Sequence, residues 1–312
     1  MLRYTLVRLA QAVLVLWVVL TVVFLLSRAS GNIAELMAPP DSPPETVRLI
    51  EENLGLDDPL IVQYGRYLGD LAQGDLGQSF AYRAPVADLI REALPYSIQL
   101  GIAAFMFAVL FGIPIGVLSA NRPGGWFDQL GKGVALAGQS VPNFWLGILL
   151  VLVFAVNLGW LPAFGAGSWK NLILPAIALG WYPLASLARL TRSAVIEVHN
   201  KDHTLFQRAK GVSYANAIQH TMRNASLPIV TLAGIQLGFL MGGAVVIETL
   251  FAWPGMGQLA IQGINSRDYP IVQGVVLVNT LFFVVLLLAV DLSYGLLDPR
   301  VRRTARGVPA AG

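Results

Sequence analysis

The chain of 312 residues has no cysteine, so disulfides, thiolate metal sites and cysteine nucleophiles are excluded. Charge is scarce as well. Only 12% of residues are Asp, Glu, Lys or Arg, against about 25% in an ordinary soluble domain. The net charge of +3 is spread along the chain rather than gathered on one face, which argues against a nucleic-acid role. Catalytic and nucleotide motifs are missing. The nearest approach to a phosphate loop, "GGWFDQLGKG", has the wrong spacing to Gly131–Lys132 and puts Gly133 where a magnesium-binding Ser or Thr belongs. No H-E-x-x-H occurs. His199 and His203, four apart beside Lys201 and Arg208, lack a third ligand and are read as interfacial, so no metal site and no catalytic residue is expected.

What the chain does have is long uncharged windows. Crossing ~30 Å of hydrocarbon takes ~20 helical residues. Six windows qualify, at about 8–28, 94–120, 133–157, 172–188, 228–250 and 270–290. The first could be a secretory leader, since Arg3 and Arg8 precede it. Its apolar run exceeds the usual ~7–15 residues and no A-x-A site follows, which favours an uncleaved span.

Basic residues set the orientation. With the N-terminus inside, 14 of the 21 Lys and Arg fall on cytoplasmic pieces, and only Lys170 and Arg267 on the short outer loops. The other five lie in segment 28–95 with 11 of the 18 acids, so that segment is net negative and reads as external. The expected architecture is therefore an all-α integral membrane protein. It has six spans, both termini cytoplasmic, and a small extracytoplasmic helical cap between the first two. The expected divisions are an N-terminal span at 1–27, the cap at 28–95, a five-helix core at 96–297 and a cytoplasmic tail at 298–312. Leu49, Leu54, Leu56, Ile61, Tyr64 and Leu68 recur at helical spacing and are expected to pack the cap on the membrane face.

Polar groups inside the windows are candidate functional residues because desolvation is costly. Glu248 falls near the outer end of the fifth span, where a gating role and a structural pair are both open. Asp291, near the inner end of the sixth, reads as an interfacial anchor. Gln99, Asn143, Gln236 and Asn279 are further candidates for the translocation path or its gate, and Gln139 is another polar group in an apolar helix. Gly234, Gly238 and Gly242, each four apart, form a stripe that lets a second helix approach closely, with a shorter version at Gly112 and Gly116.

Between the fourth and fifth windows lies the polar, cationic stretch "FQRAKGVSYANAIQHTMRNASLPIV", assigned to the cytoplasm by charge. One helix is expected over 196–210. Gly211 suits a left-handed helix end, Ser213 can cap a second helix, and Ala215, Ile218, Met222 and Ala225 form one apolar stripe. Pro228 suits the first turn of the fifth span. Two short helices with a sharp corner make a handle for a cytoplasmic partner.

That insert resembles the cytoplasmic "EAA" loop of permease subunits in ATP-binding-cassette importers, with Gly211 at its glycine and "ASLP" at its end. The wider chain resembles the first permease subunit of the dipeptide/oligopeptide/nickel family. The stretches that carry this are "LGLDDPLIVQYGRYL", "GDLGQSF", "VPNFWLG", "LGWLPAFG", "FAWPGMG", "RDYPIVQG" and "LDPRVR", in family order over nearly the whole chain. Leu205, Phe206 and Gln207 stand at the E-A-A positions, a departure that bears on which ATPase docks there. The resemblance implies a subunit of the bacterial cytoplasmic membrane that forms half of a path, a homologous permease supplying the other half. It implies two cytoplasmic ATPases carrying ATP and magnesium, and an external binding protein. Coupling to the ATPases, through loop 193–226, is expected at Asp202, Leu205, Phe206, Arg208, Ala209, Lys210 and Gly211. This chain itself would hold no cofactor and hydrolyse nothing. Peptides are the expected cargo, with nickel, a metal chelate or glutathione as alternatives. An ATP-independent secondary transporter or channel is the competing class. It would want inverted repeats or broken helices bearing ion ligands, and no internal repeat is evident.

Overall fold

In a computed structural model, residues 2–29, 34, 42–199 and 214–297 are described. Their regular structure is all helical, with one isolated bridge between Gln78 and Pro85 and no strand. The elements are α1 (Leu2–Ala29), α2 (Pro44–Leu54), α3 (Leu60–Ala72), α4 (Val86–Asn121), α5 (Trp126–Ser140), α6 (Asn143–Leu150), α7 (Ile173–His199), α8 (Tyr214–Gly243), α9 (Val245–Leu250), α10 (Met256–Asn265) and α11 (Tyr269–Leu297).

Among the described residues four helices are long and apolar enough to cross a membrane, or five if one bent pair counts as a single span. That bent pair is the expected third span. It breaks between α5 and α6 by 107°. The cause is Pro142, which pushes the preceding Val141 into an extended conformation, φ −88° and ψ 120°. Beyond α6 the chain winds as a π-helix over Val151–Asn157. The expected fifth span is broken too: its apolar helical part is Pro228–Leu240, and the chain interrupts at Ala244 before α9.

Two expected boundaries fall elsewhere. α4 runs unbroken from Val86 through Pro95 and Pro114, so the expected seam between cap and core at 95 lies inside a helix. Likewise Pro228 lies inside α8, not at its first turn, so the second cytoplasmic helix and the fifth span are one continuous helix. Prolines are tolerated inside such helices because neighbouring groups satisfy the freed carbonyls.

The bundle is centred on α4 and α7, and small residues decide how closely they approach. A Cβ on Gly112 would stand 2.7 Å from the Leu184 carbonyl oxygen, and one on Gly116 would stand 2.6 Å from that of Ala188. Leu100, Ala104, Leu174, Ala178 and Leu179 fill the seam and continue into Ile247, Phe251 and Trp253. Of the expected α8 stripe, Gly238 receives the Phe283 ring of α11, while a Cβ at Gly242 would meet nothing within 4 Å. The tight glycine contact is thus α4 on α7, because there backbone rather than a side chain lies opposite.

Segment 28–95 contains the expected helices. α2 ends at Gly55 in the left-handed region, φ 61°, with Leu56 N–H donating to the Glu51 carbonyl at 2.9 Å. α3 rests on the C-terminal end of α1: Phe24 lies 5.2 Å from the Tyr64 ring and 5.5 Å from that of Tyr67, and Thr21 and Tyr64 share a hydrogen bond of 2.6 Å. Burial, with Tyr64 adding to it, pushes the Tyr67 phenol up to about 12. The expected apolar face is only partly used. Tyr64, Leu56 and Leu68 are half-buried, but Leu49 and Ile61 point outward, since α3 meets α1 through its tyrosine face.

Candidate functional site

Three carboxylates among the described residues are wholly buried: Asp128, Glu248 and Asp268. A buried charge is tolerated only when its lone pairs are used, and each of the three ties distant parts of the chain together.

Glu248 sits in α9. Its carboxylate accepts from Ser97 Oγ of α4 at 2.7 Å, and from the backbone N–H groups of Gly257 at 2.7 Å and Gln258 at 3.2 Å. It therefore occupies the N-terminus of α10, where free N–H groups and the helix dipole favour an anion. Ser97 Oγ also accepts from Met256 N–H at 2.7 Å. The glycines of "FAWPGMG" follow from this packing. A Cβ on Gly257 would lie 2.6 Å from Val245 Cα, and one on Gly255 would overlap the carboxylate itself. Trp253 completes the corner, donating Nε1–H to the Tyr96 carbonyl at 2.9 Å with its ring edge-on to Tyr96. Beside this corner an open groove of about 270 Å³ is lined by Tyr82, Glu92, Tyr96, Gln258 and Gln262.

Asp268 joins the connection before α11 to the segment before α4. It accepts from Ser79 Oγ at 2.7 Å and from Ala81 N–H at 2.9 Å, and Tyr82 Oη bonds Gln262 at 2.9 Å. Asp128 does the same work at the other end of the bundle. Arg192 of α7 grips both its oxygens, Lys132 reaches it at 2.9 Å, and Gly124 N–H donates at 2.8 Å. Residue types hinted at both. Asp128 precedes Lys132 by one helical turn, and Asp268 directly precedes a helix with proline in its first turn. Which partner each would find across the fold had no local signal.

Of the expected path residues, Glu248 alone belongs to this cluster. Gln99 on α4 is exposed, Gln236 on α8 is buried, and Asn143 on α6 and Asn279 on α11 are half-buried. No hydrogen bond among the described residues joins these four to one another or to Glu248. The expected coupling residues Asp202, Leu205, Phe206, Arg208, Ala209, Lys210 and Gly211 lie outside the described residues, as does Ser213.

Comparison with known proteins bears on the whole chain. The model of the inner membrane component of binding-protein-dependent transport systems matches residues 112–303, and that of the N-terminal part of such components matches residues 1–101. The chain is 41% identical to the glutathione transport system permease protein GsiC of Salmonella paratyphi A over 304 residues, covering 97% of this chain and 99% of that one. It is 40% identical to the protein of the same name from Escherichia coli (strain K12), with the same coverage. Among solved structures, an inward-facing conformation of the MetNI methionine ABC transporter superposes with a TM-score of 0.56 at 20% identity, over 67% of this chain and 96% of that one.

Proposed function

We propose a cargo and a working arrangement on one premise: the chain belongs to the family of inner membrane components of binding-protein-dependent transport systems, and is a permease subunit of an ATP-binding-cassette importer. The cargo we propose is a short peptide, with glutathione, itself a tripeptide, the first to be tried. The observation that carries this is the 41% identity over 97% of the chain to a glutathione permease subunit. The groove beside the Glu248 corner is in keeping with it. Its amides, phenols and the Glu92 carboxylate offer donors and acceptors suited to a peptide's amide and ammonium groups.

In this arrangement the chain pairs with a second, homologous permease. Two cytoplasmic ATPases, which bind the ATP and magnesium, dock on the loop that follows α7, and an external binding protein delivers cargo to the outer face. The chain makes and breaks no bonds and carries no ATPase site. The Glu248 corner holds the outer connection rigid, and the Asp128 cluster braces α7 just before it enters the coupling loop. ATP-driven closure of the ATPases is then passed into the bundle along α7.

Reconstitution into liposomes with these partners tests the reading. Uptake of labelled glutathione or a di- or tripeptide should require ATP and the binding protein, and the chain alone should not hydrolyse ATP. Uptake driven by an ion gradient without the ATPases would overturn the importer assignment for this chain. Uptake of nickel but of no peptide would overturn the cargo.

A further inference from the structure

A pocket of about 300 Å³ opens between α4, α5 and α7, away from the Glu248 corner. Its lining is mixed: Lys132, Arg189 and Arg192 contribute cations, and Ile115 and Leu136 contribute apolar wall. No acid lines it. Asp128, which is wholly buried, answers Lys132 and Arg192, while Arg189 is exposed and has no ionic partner among the described residues. With two of the three cations held against a single carboxylate and Arg189 against none among the described residues, positive charge is in excess at the pocket.

Its depth is set by its surroundings. The pocket lies where α4 ends at Asn121, among the basic residues that the charge asymmetry assigns to the cytoplasmic edge. Trp126 and Phe127, 68% and 51% exposed, begin α5 at this level, as aromatic side chains do at a membrane interface. Leu136, 71% exposed, lies further along α5, toward the apolar interior.

We propose that this pocket binds an anionic glycerophospholipid of the inner leaflet. The phosphate takes the Arg189 and Lys132 donors, and an acyl chain lies along Leu136 and Ile115. Basic pockets between membrane helices on the cytoplasmic side suit such headgroups. A soluble phosphate would use only the mouth and leave the apolar wall wet, which is why the lipid is the better match. Because the lipid would bridge α5 and α7 above the Asp128 cluster, it would stiffen the element that leads to the coupling loop.

The test uses the assembled importer in nanodiscs, with bound lipid counted by native mass spectrometry. Wild type should retain phosphatidylglycerol in preference to phosphatidylcholine. Arg189→Gln, which leaves every Asp128 contact in place, should lower that preference about fivefold. Arg48→Gln, on the exposed face of α2, should not change it. Glycerol 3-phosphate should not displace the lipid at millimolar concentration. Equal retention of both lipids by wild type would overturn the proposal and point to a protein segment over the pocket. An unchanged preference in Arg189→Gln, or displacement by glycerol 3-phosphate, would overturn it equally, the latter in favour of a free-anion site.

Discussion

Ser97 Oγ donates to the Glu248 carboxylate at 2.7 Å across 151 positions of sequence, while accepting from the backbone of Met256. That one hydroxyl links α4 to the corner between α9 and α10. It turns Glu248 from an isolated acid in an apolar stretch into the centre of a satisfied polar cluster.

Replacing Glu248 by Gln is expected to destabilise the subunit, although size is preserved. One carboxylate oxygen becomes an NH2 group, so a donor meets either the Gly257 N–H or the Ser97 hydroxyl. Leaving a buried donor unmet costs about 1–3 kcal/mol. Ser97→Ala should cost at least as much, because it leaves both the buried Met256 N–H and one Glu248 oxygen without a partner. Thermal melting of the purified importer should therefore place both variants below wild type, with Ser97→Ala no higher than Glu248→Gln. A Glu248→Gln protein that melts like wild type yet fails in uptake would instead make the charge a gating group.

Asp128→Asn should be the more damaging change at the opposite end of the bundle. It leaves Arg192 and Lys132 facing a neutral amide; their side chains keep 23% and 47% exposure, so the cost should fall below the ~3–5 kcal/mol of a fully buried pair. Arg192→Lys should be milder in charge but loses the two-pronged grip. The yield of monodisperse protein on size-exclusion chromatography checks the order.

Gly116→Val is expected to separate α4 from α7. A Cβ alone would come within 2.6 Å of both the Ala188 carbonyl oxygen and Thr191 Cβ, and neither backbone can yield locally. Gly133→Ala on the neighbouring α5, with nothing within 4 Å, should be tolerated. Comparing expression and heat stability of the two variants separates packing from a general intolerance of substitution.

Gly211→Val tests the coupling handle inferred from sequence. If Gly211 is the left-handed corner there, a Cβ costs ~1–2 kcal/mol, and a β-branched residue more. The variant should insert normally but retain its ATPases poorly, with uptake falling in step. Lys210→Ala should be milder. Copurification of the ATPase with each variant reads this directly, and wild-type docking in Gly211→Val would reduce the segment to an interfacial loop.

Much of this protein could be read without coordinates because the bilayer imposes a one-dimensional rule. Apolar runs must be long enough to cross it, and lysine and arginine collect on one side. That is why the membrane class and α1, α4, α7 and α11 were legible in residue order, and why motifs spread from "LGLDDP" to "LDPRVR" pointed to an importer permease. The same rule is blind to direction within an apolar run. Pro142 bends one expected span by 107°, and Ala244 interrupts another, without any change in hydropathy to mark the place. It is blind also to partnership. Nothing local separates Asp128 from any acid near a lysine, or shows that Gly116, rather than Gly242, is the glycine with backbone opposite it. A buried charge and a close helix approach are each decided by atoms that arrive from distant sequence, Arg192 for Asp128 and Ala188 for Gly116. Those contacts exist only once the bundle has closed.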